Sequence, residues 1–391
     1  MTRPTVTSPD LPDGLGTDAV TVHIVGAGLI GTSIGLALAQ RGCAVTLEDI
    51  DNRRQELADR TVSAVRKTVD RAPAVPGLVV IAVPPERTGA ELIRCAGQYV
   101  NATVIDTASV MVEPLTEVET YSAKVGRGLT NVVLSHPLGG SASSGPDGAA
   151  ATHFLGRAWA LCRTSATGSE HADRAEWLVR ACGAVPYWLA ASRHDEVVAL
   201  TSHVPQLVAS ALAANSGRVG PDAATLAGPA LVEMTRVADS PAGLWTQIAL
   251  ANRSPLLDGL EHLLSRLGRL RDALAGGAPD RIAEEVIALL DDGRAGRALL
   301  AAKHAAAALP PERAAGPAAW TWIEIPVSDA PGRLAAVFTA AAAQGINIED
   351  LRMEHASHAA SGTVLVAVPT ADADRLRAAV PAASVGVTGP A

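Results

Sequence analysis

Gly26-Ala27-Gly28-Leu29-Ile30-Gly31 is a GxGxxG run, and Asp49 follows its last glycine by about 18 residues. The chemistry such a run serves is dinucleotide binding, provided that it closes a strand and opens a helix. Both conditions hold in this sequence. Val20–Val25 reads as the strand before it, Gly31–Arg41 as the helix after it, and Ala44–Asp49 as a second strand ending on the acid. Gly26 allows the tight turn, Gly28 lets a pyrophosphate reach the backbone, and Gly31 lets the helix pack closely on the strand. The helix start at Leu29, Ile30 and Gly31 offers free N–H groups and partial positive charge to the phosphates. Asp49 is placed to bond the ribose hydroxyls and repel a 2′-phosphate, which favours NAD over NADP. Arg53 and Arg54 beside it act in the other direction.

Other stretches carry chemistry at strand ends and on one long helix. Ala82-Val83-Pro84-Pro85 ends a later strand, so Val83 and Pro84 line the crevice where ligands bind in such sheets. Asp106-Thr107-Ala108-Ser109-Val110-Met111 and Ser135-His136-Pro137-Leu138-Gly139-Gly140 follow, both facing the nicotinamide. His194-Asp195 and Ser202-His203-Val204-Pro205-Gln206 come next, then Met234-Thr235-Arg236-Val237-Ala238, Asp239-Ser240-Pro241 and Trp245. Residue type alone leaves their roles open. His136 is either a turn cap or a proton acceptor, and Ser109 either an N-cap or a polar contact. Arg236 either pairs helices or holds an anion. His194 and His203 are either structural histidines or part of a site wall. His23 reads as packed in the first strand, and His355 and His358 as solvated.

The chain that must position these groups has 391 residues, 48 % hydrophobic and 18 % charged, with a formal net charge of -8. That length implies two or three domains of about 100–200 residues each. An acidic chain lacks the clustered Lys and Arg that duplex nucleic acid or an anionic membrane demands. Cys43, Cys95, Cys162 and Cys182 are scattered, with no CxxC spacing and no His/Cys cluster. They read as buried thiols of a reducing cytoplasm, and no metal is expected. Val20–Gln40 is long and nearly uncharged, but glycines interrupt it and an acidic segment precedes it. It reads as a buried strand feeding a packed helix, not as a membrane span or signal peptide.

Residues 1–19 read as a disordered lead-in. Leu78–Val83, Thr103–Asp106 and Asn131–Ser135 join the first two strands as short, nearly all-apolar runs alternating with helices. That pattern predicts a parallel sheet covered on both faces, an α/β Rossmann domain over 20–169. After one apolar run at Val185–Ala190 the period becomes helical, giving an all-α domain over 170–308. Ser192–Asn215 reads as one long helix that Pro205 kinks. Further helices are expected at Pro221–Ser240, Pro241–Asn252, Ser254–Ala275 and Pro279–Leu309. So many apolar faces imply packing across a subunit boundary, hence a dimerisation domain and a homodimer. Residues 309–319 read as a linker. Over 320–391 the order is strand Trp320–Val327, helix Pro331–Gln344, strands Ile346–Glu354 and Thr363–Val368, helix Ala371–Val380 and a last strand Ser384–Val387. This is a ferredoxin-like βαββαβ unit.

Taken in order, the glycine motif, Asp-x-x-Ser, His-Pro-x-x-Gly, His-Asp…Ser-His-x-Pro and Thr-Arg-x-Ala…Ser-Pro-x-x-Trp resemble the prephenate/arogenate dehydrogenase family of tyrosine biosynthesis. The resemblance runs from about Val20 to Arg253. It implies an NAD-dependent oxidative decarboxylation of a cyclohexadienol: hydride leaves C4, the C4 hydroxyl loses its proton, and CO2 departs from C1 as the ring aromatises. By resemblance, neutral His136 takes the hydroxyl proton, and Ser109 helps hold that hydroxyl and the histidine. Arg236 holds a substrate carboxylate, and Gln206 and His203 meet the substrate. His194, Asp195 and His203 form a polar wall across the cleft.

The chain departs from the family pattern at three places. Met111 stands where many members have lysine, and Ser141-Ala142-Ser143-Ser144 where many have an acid. Gln206 stands where prephenate-specific members often have histidine. A glutamine suits the pyruvyl side chain of prephenate or the amino-acid side chain of arogenate. An amino-substituted prephenate of a secondary pathway stays open as well. Asp329-Ala330-Pro331-Gly332-Arg333-Leu334 and Gly345-Ile346-Asn347-Ile348-Glu349 resemble the signature of an ACT domain. That resemblance implies an amino-acid effector such as tyrosine at Asp329, Gly332, Asn347 and Ile348. A plain dimerisation module is the other reading, and a non-catalytic amino-acid sensor the other function. β-Hydroxyacid dehydrogenases rely on a lysine in the helical domain, and residues 170–300 contain none.

Overall fold

A computed structural model describes residues 20–65, 75–139, 145–308, 320–328, 330–355 and 361–380. The expected lead-in, the 309–319 linker and the strand at Ser384–Val387 lie outside the described residues. The chain divides into two compact units, residues 1–264 and 265–391.

The first unit opens with β1 (Thr21–Val25), α1 (Leu29–Gln40), β2 (Ala44–Glu48), α2 (Asn52–Ser63), β3 (Leu78–Ile81), α3 (Pro85–Gln98), β4 (Thr103–Asp106), α4 (Val112–Val125), β5 (Val132–Pro137), β6 (Ala158–Arg163), α5 (Ser169–Ala181) and β7 (Val185–Trp188). Its seven strands lie in the order β2-β1-β3-β4-β5-β6-β7. β1 to β5 are parallel, and β6 turns antiparallel to β5. Every residue of β3 and β4 is buried, which is why both read as unbroken apolar runs. Gly31 to Ala39 of α1 are buried too, so Val20–Gln40 is a core strand and its packed helix. β1 lies between β2 and β3, so the strand order reverses there. Sheets of this kind open a ligand crevice at the carboxyl ends of such strands.

β5 runs two residues beyond the expected end at Ser135, because His136 pairs with Ala160 and Pro137 with Trp159 of β6. His136 therefore sits on a paired strand, not on a free loop. The sheet also continues past residue 169, through α5 to β7.

The helical part begins with α6 (Ala191–Val198), a π turn at Ala199–His203 and α7 (Val204–Val219). The kink expected at Pro205 takes the form of this π turn. Proline lacks the N–H that the preceding turn's carbonyl would use, and the wider turn accommodates the lost bond. Then come α8 (Pro221–Leu226), α9 (Pro229–Thr235), a 3-10 turn at Arg236–Asp239, α10 (Ala242–Ala251) and α11 (Arg253–Gly276).

The second unit holds α12 (Pro279–Ala308), β8 (Trp320–Ser328), α13 (Arg333–Ala343), β9 (Asp350–His355), β10 (Ser361–Pro369) and α14 (Ala373–Ala379). Its antiparallel sheet has the order β8-β10-β9. Ile323, Ile325 and Val327 alternate inward on β8 and share a core with Val364, Val366 and Leu376. β9 starts later than the expected Ile346, so Asn347 and Ile348 lie before the strand.

Candidate active site

The glycine loop is locked between two strand ends. Gly26 N–H donates to the Glu48 carbonyl at 2.7 Å, and Ala82 N–H donates to the Val25 carbonyl at 2.7 Å. A Cβ on Gly26, whose φ is +106°, would stand 2.2 Å from the Ala82 carbonyl oxygen, and one on Gly31 would stand 2.0 Å from that of Gly26. Only glycine fits either position. At Gly28 the space is open instead, with nothing within 4 Å of a Cβ position. Gly28 caps α1 without a side chain, and the first bond of the helix is Thr32 N–H to its carbonyl. The N–H groups of Leu29, Ile30 and Gly31 therefore have no partner within the helix.

Asp49 Oδ2 accepts Ala27 N–H at 2.8 Å and Oδ1 accepts Asp51 N–H at 2.9 Å. The Arg54 guanidinium lies 3.6 Å from Asp49 Oδ2. Asp49 thus braces the loop, and each oxygen keeps a lone pair for a ribose hydroxyl. Val83 and Pro84 follow β3 at the same end of the sheet, with Pro85 opening α3. The open space at Gly28, the free N–H groups and the acid fit a dinucleotide.

Asp106 closes β4 and is fully buried. Its carboxylate accepts Ser135 N–H at 2.7 Å and Ala108 N–H at 3.0 Å. The Ser135 hydroxyl donates to the Asp106 carbonyl and accepts Trp159 Nε1–H at 2.9 Å. Burial outweighs the two N–H donors and pushes the Asp106 carboxyl up to about 7. Asp106 thus ties the Ser109 loop to the strand that carries His136.

His136 Nδ1 lies 2.9 Å from His194 Nε2, and the two rings meet edge to face. His194 Nδ1 lies 2.7 Å from Asp195 Oδ1. The Asp195 carboxylate also accepts the N–H groups of Met111 and Val112, each at 2.9 Å, and so caps α4. His194 and Asp195 are 2 % and 1 % exposed. Burial first, and then the neighbouring His194 and His203, hold the His136 imidazolium well below the usual histidine range. Met111 is wholly buried among apolar neighbours, which suits its uncharged side chain.

Asn252, which sequence reasoning did not single out, donates Nδ2 to the Asp195 carbonyl at 2.8 Å and lies 3.0 Å from His203 Nδ1. The carbonyl can only accept, so the amide nitrogen faces it and also donates to His203 Nδ1. The His203 hydrogen therefore resides on Nε2, in a ring that meets Trp245 edge to face. Burial lowers its pKa to about 4. By length and composition Ala191–Val219 could cross a membrane, yet His194, Asp195, His203 and Gln206 are its buried polar residues.

Gln206 stands about one turn beyond His203 and is buried. Its Nε2 donates to the Val237 carbonyl at 2.7 Å, and its Oε1 accepts from the Ser240 hydroxyl at 3.2 Å. The amide expected on the substrate is thus bonded to the turn that begins at Arg236. Arg236 is exposed and makes no ion pair among the described residues. Ser109 is half-buried and makes no hydrogen bond among them. Among the described residues no group of His, Cys, Asp and Glu could hold a metal ion. In the second unit a cavity of about 300 Å3 lies at the turn from β8 to α13, lined by Val327, Pro331, Gly332, Arg333 and Met353. Asn347, which donates to Glu349 at 2.8 Å, and Ile348 are not among its lining residues, and Asp329 lies outside the described residues.

The model of the prephenate dehydrogenase nucleotide-binding domain matches residues 34–187, and that of the prephenate dehydrogenase dimerization domain matches 190–287. A Streptomyces niveus protein described as probable prephenate dehydrogenase NovF is 30 % identical over 362 residues, 91 % of this chain and 96 % of its own length. The chain belongs to the prephenate dehydrogenase family. The prephenate dehydrogenase of Bacillus subtilis is 24 % identical over 92 % of this chain and 94 % of its own. Alignments of that length reach beyond residue 287 into the second unit. The solved structure of A. aeolicus prephenate dehydrogenase, in complex with hydroxyphenyl propionate and NAD+, shares the fold. Its TM-score is 0.60 at 20 % identity, covering 72 % of this chain and 98 % of that one. Synechocystis arogenate dehydrogenase gives 0.57 at 24 %, covering 72 % and 100 %. Membership makes this chain an NAD-dependent oxidoreductase of tyrosine biosynthesis with a Rossmann-like domain and a helical dimerisation domain.

Proposed function

We propose that this enzyme oxidises prephenate with NAD and releases 4-hydroxyphenylpyruvate and CO2. The observation that carries the reading is a half-buried histidine, His136, fixed on a paired strand and backed by the buried His194 and Asp195. NAD, when bound on the glycine loop, supplies the hydride acceptor. His136 removes the C4 hydroxyl proton, and Ser109, whose hydroxyl has no other hydrogen bond among the described residues, holds that oxygen. Arg236, free of ion pairs among the described residues, takes a substrate carboxylate in bidentate fashion. Neutral His203 donates from Nε2 to the pyruvyl side chain. Gln206 acts on substrate through the Arg236 turn that it anchors.

Prephenate is preferred over arogenate because the relatives that span more than nine-tenths of this chain bear that name. An initial-rate comparison of prephenate, arogenate and an amino-substituted prephenate, each with NAD and NADP, tests the choice. A higher kcat/KM for either competitor overturns it.

The division into three regions is part of the same reading, with the boundary expected at 169/170 moved to the end of β7: 20–188, 191–308 and 320–391. Exposed Leu226, Val232, Met234, Leu244, Leu250 and Leu257 on the helices favour a homodimer through the second of these regions. We place the protein in the cytoplasm. The β8–α13–β9–β10–α14 order and the cavity at Gly332 favour an ACT-like regulatory unit that binds tyrosine or a related amino acid there. Equilibrium dialysis with tyrosine tests this, and absence of binding at millimolar concentration removes it.

A further inference from the structure

His136 is a poor resting place for a proton. It is half-buried with His194 against its ring, and desolvation together with the charges of His194 and His203 holds its imidazolium well below the usual range. His194, one hydrogen bond further in, touches a carboxylate at 2.7 Å. We infer that His194 and Asp195 form a relay that stores the substrate's hydroxyl proton during decarboxylation and returns it to the product.

The hydrogen positions follow from the partners. Each Asp195 carboxylate oxygen accepts a backbone N–H, and Oδ1 also accepts His194 Nδ1–H. Neutral His194 is then bare at Nε2, and this atom accepts His136 Nδ1–H at 2.9 Å. The lone pair of His136 is left on Nε2, where it acts as the base.

In the forward step the C4 O–H bond breaks and its proton joins His136 Nε2. The Nδ1 proton of His136 crosses to His194 Nε2, so the positive charge rests beside Asp195. The O–H electron pair becomes the C4 carbonyl as C4 gives up its hydride, which NAD bound on the glycine loop would accept. Cleavage of the bond from C1 to CO2 then sends its electrons through the ring to the C4 oxygen. The stored proton returns along the same two hydrogen bonds and makes the phenol. No net proton is released, and NAD is the only oxidant. His136 touches the substrate. His194 and Asp195 act through it and are positioning residues.

The inference rests on the oxidative decarboxylation proposed above, so its first test needs no substrate. Nitrogen-15 NMR of histidine-labelled full-length protein at neutral pH reads each tautomer, with His136 assigned by its loss in His136→Asn. The expected result is hydrogen on Nδ1 and a bare Nε2. Hydrogen on Nε2 in the resting enzyme overturns the relay whether or not prephenate is the substrate. The second test is His194→Gln, whose amide oxygen still accepts His136 Nδ1–H but cannot take a proton. With NADH affinity and thermal midpoint checked against wild type, kcat with the best substrate should fall about 10–100-fold while KM changes little. The dependence of kcat on deuterium fraction should change from curved, with two protons moving, to linear. A kcat within two-fold of wild type, or an unchanged curve, contradicts proton storage on His194.

Discussion

Asn252 donates its amide to the Asp195 carbonyl at 2.8 Å, joining the end of α10 to α6 across 57 residues of chain. The same nitrogen reaches His203 at 3.0 Å. One side chain thus holds the helix that carries His194 and Asp195 and sets the hydrogen on His203.

Asn252→Ala leaves a buried carbonyl and the His203 Nδ1 without partners. An unsatisfied buried polar group costs about 1–3 kcal/mol. Urea unfolding should show a loss of that size, with a raised KM as His203 loses its fixed tautomer. Wild-type stability and KM would show that neither bond matters.

Asp106→Asn tests the tie between the Ser109 loop and β5. The carboxylate accepts two N–H groups, whereas an amide has one acceptor and turns its NH2 against the other donor. A stability loss of about 1–3 kcal/mol is expected, together with reduced kcat. The pH dependence should change as well. Asp106 titrates at about 7 folded, against an ordinary 3.8. The unfolded chain ionises first, so this group lowers stability as pH rises from 3.8 through 7. Thermal midpoints of the variant should lack that component; an identical slope would contradict the burial argument.

His136 must be neutral to accept a proton, and burial holds its imidazolium well below the usual range. The acid limb of kcat/KM is therefore expected well below pH 6.5. A midpoint at or above 6.5 would mean that His136 is solvated. His203 adds a stability effect of known sign. Its folded value of about 4 lies below the unfolded 6.5, so the unfolded chain takes the proton first. Stability is retained above pH 6.5 and lost as pH falls towards 4.

Asp49→Ala removes the brace on Ala27 and, with it, the carboxylate that we propose bonds the ribose. NAD affinity should fall more than NADP affinity, because repulsion of a 2′-phosphate disappears too. Fluorescence titration with the two reduced cofactors measures this, and an unchanged affinity ratio would assign Asp49 to the loop alone.

What the sequence revealed was local. The glycine loop with Asp49, and the buried runs of β3 and β4, are set by spacing and apolar content within a few residues. β4 was legible to the residue because both its faces are covered. The place of His136 on a strand was not legible, since the last two pairs of β5 depend on β6, which begins some twenty residues later. The π turn before Pro205 was readable only as a kink. Gln206 was expected on the substrate, and its bonds to Val237 and Ser240 come from residues more than thirty positions away. Asn252 carried no signal, because an asparagine after an apolar helix looks like any C-terminal cap until the fold brings Asp195 and His203 to it.

The most direct measurement is product stoichiometry with prephenate and NAD, for wild type and His136→Asn. Wild type should form one NADH, one CO2 and one 4-hydroxyphenylpyruvate per prephenate consumed. His136→Asn should bind NADH normally and turn over about 10²–10⁴-fold more slowly. No NADH from prephenate, or a His136→Asn rate within a few-fold of wild type, would contradict the reading of His136 as the base of this reaction.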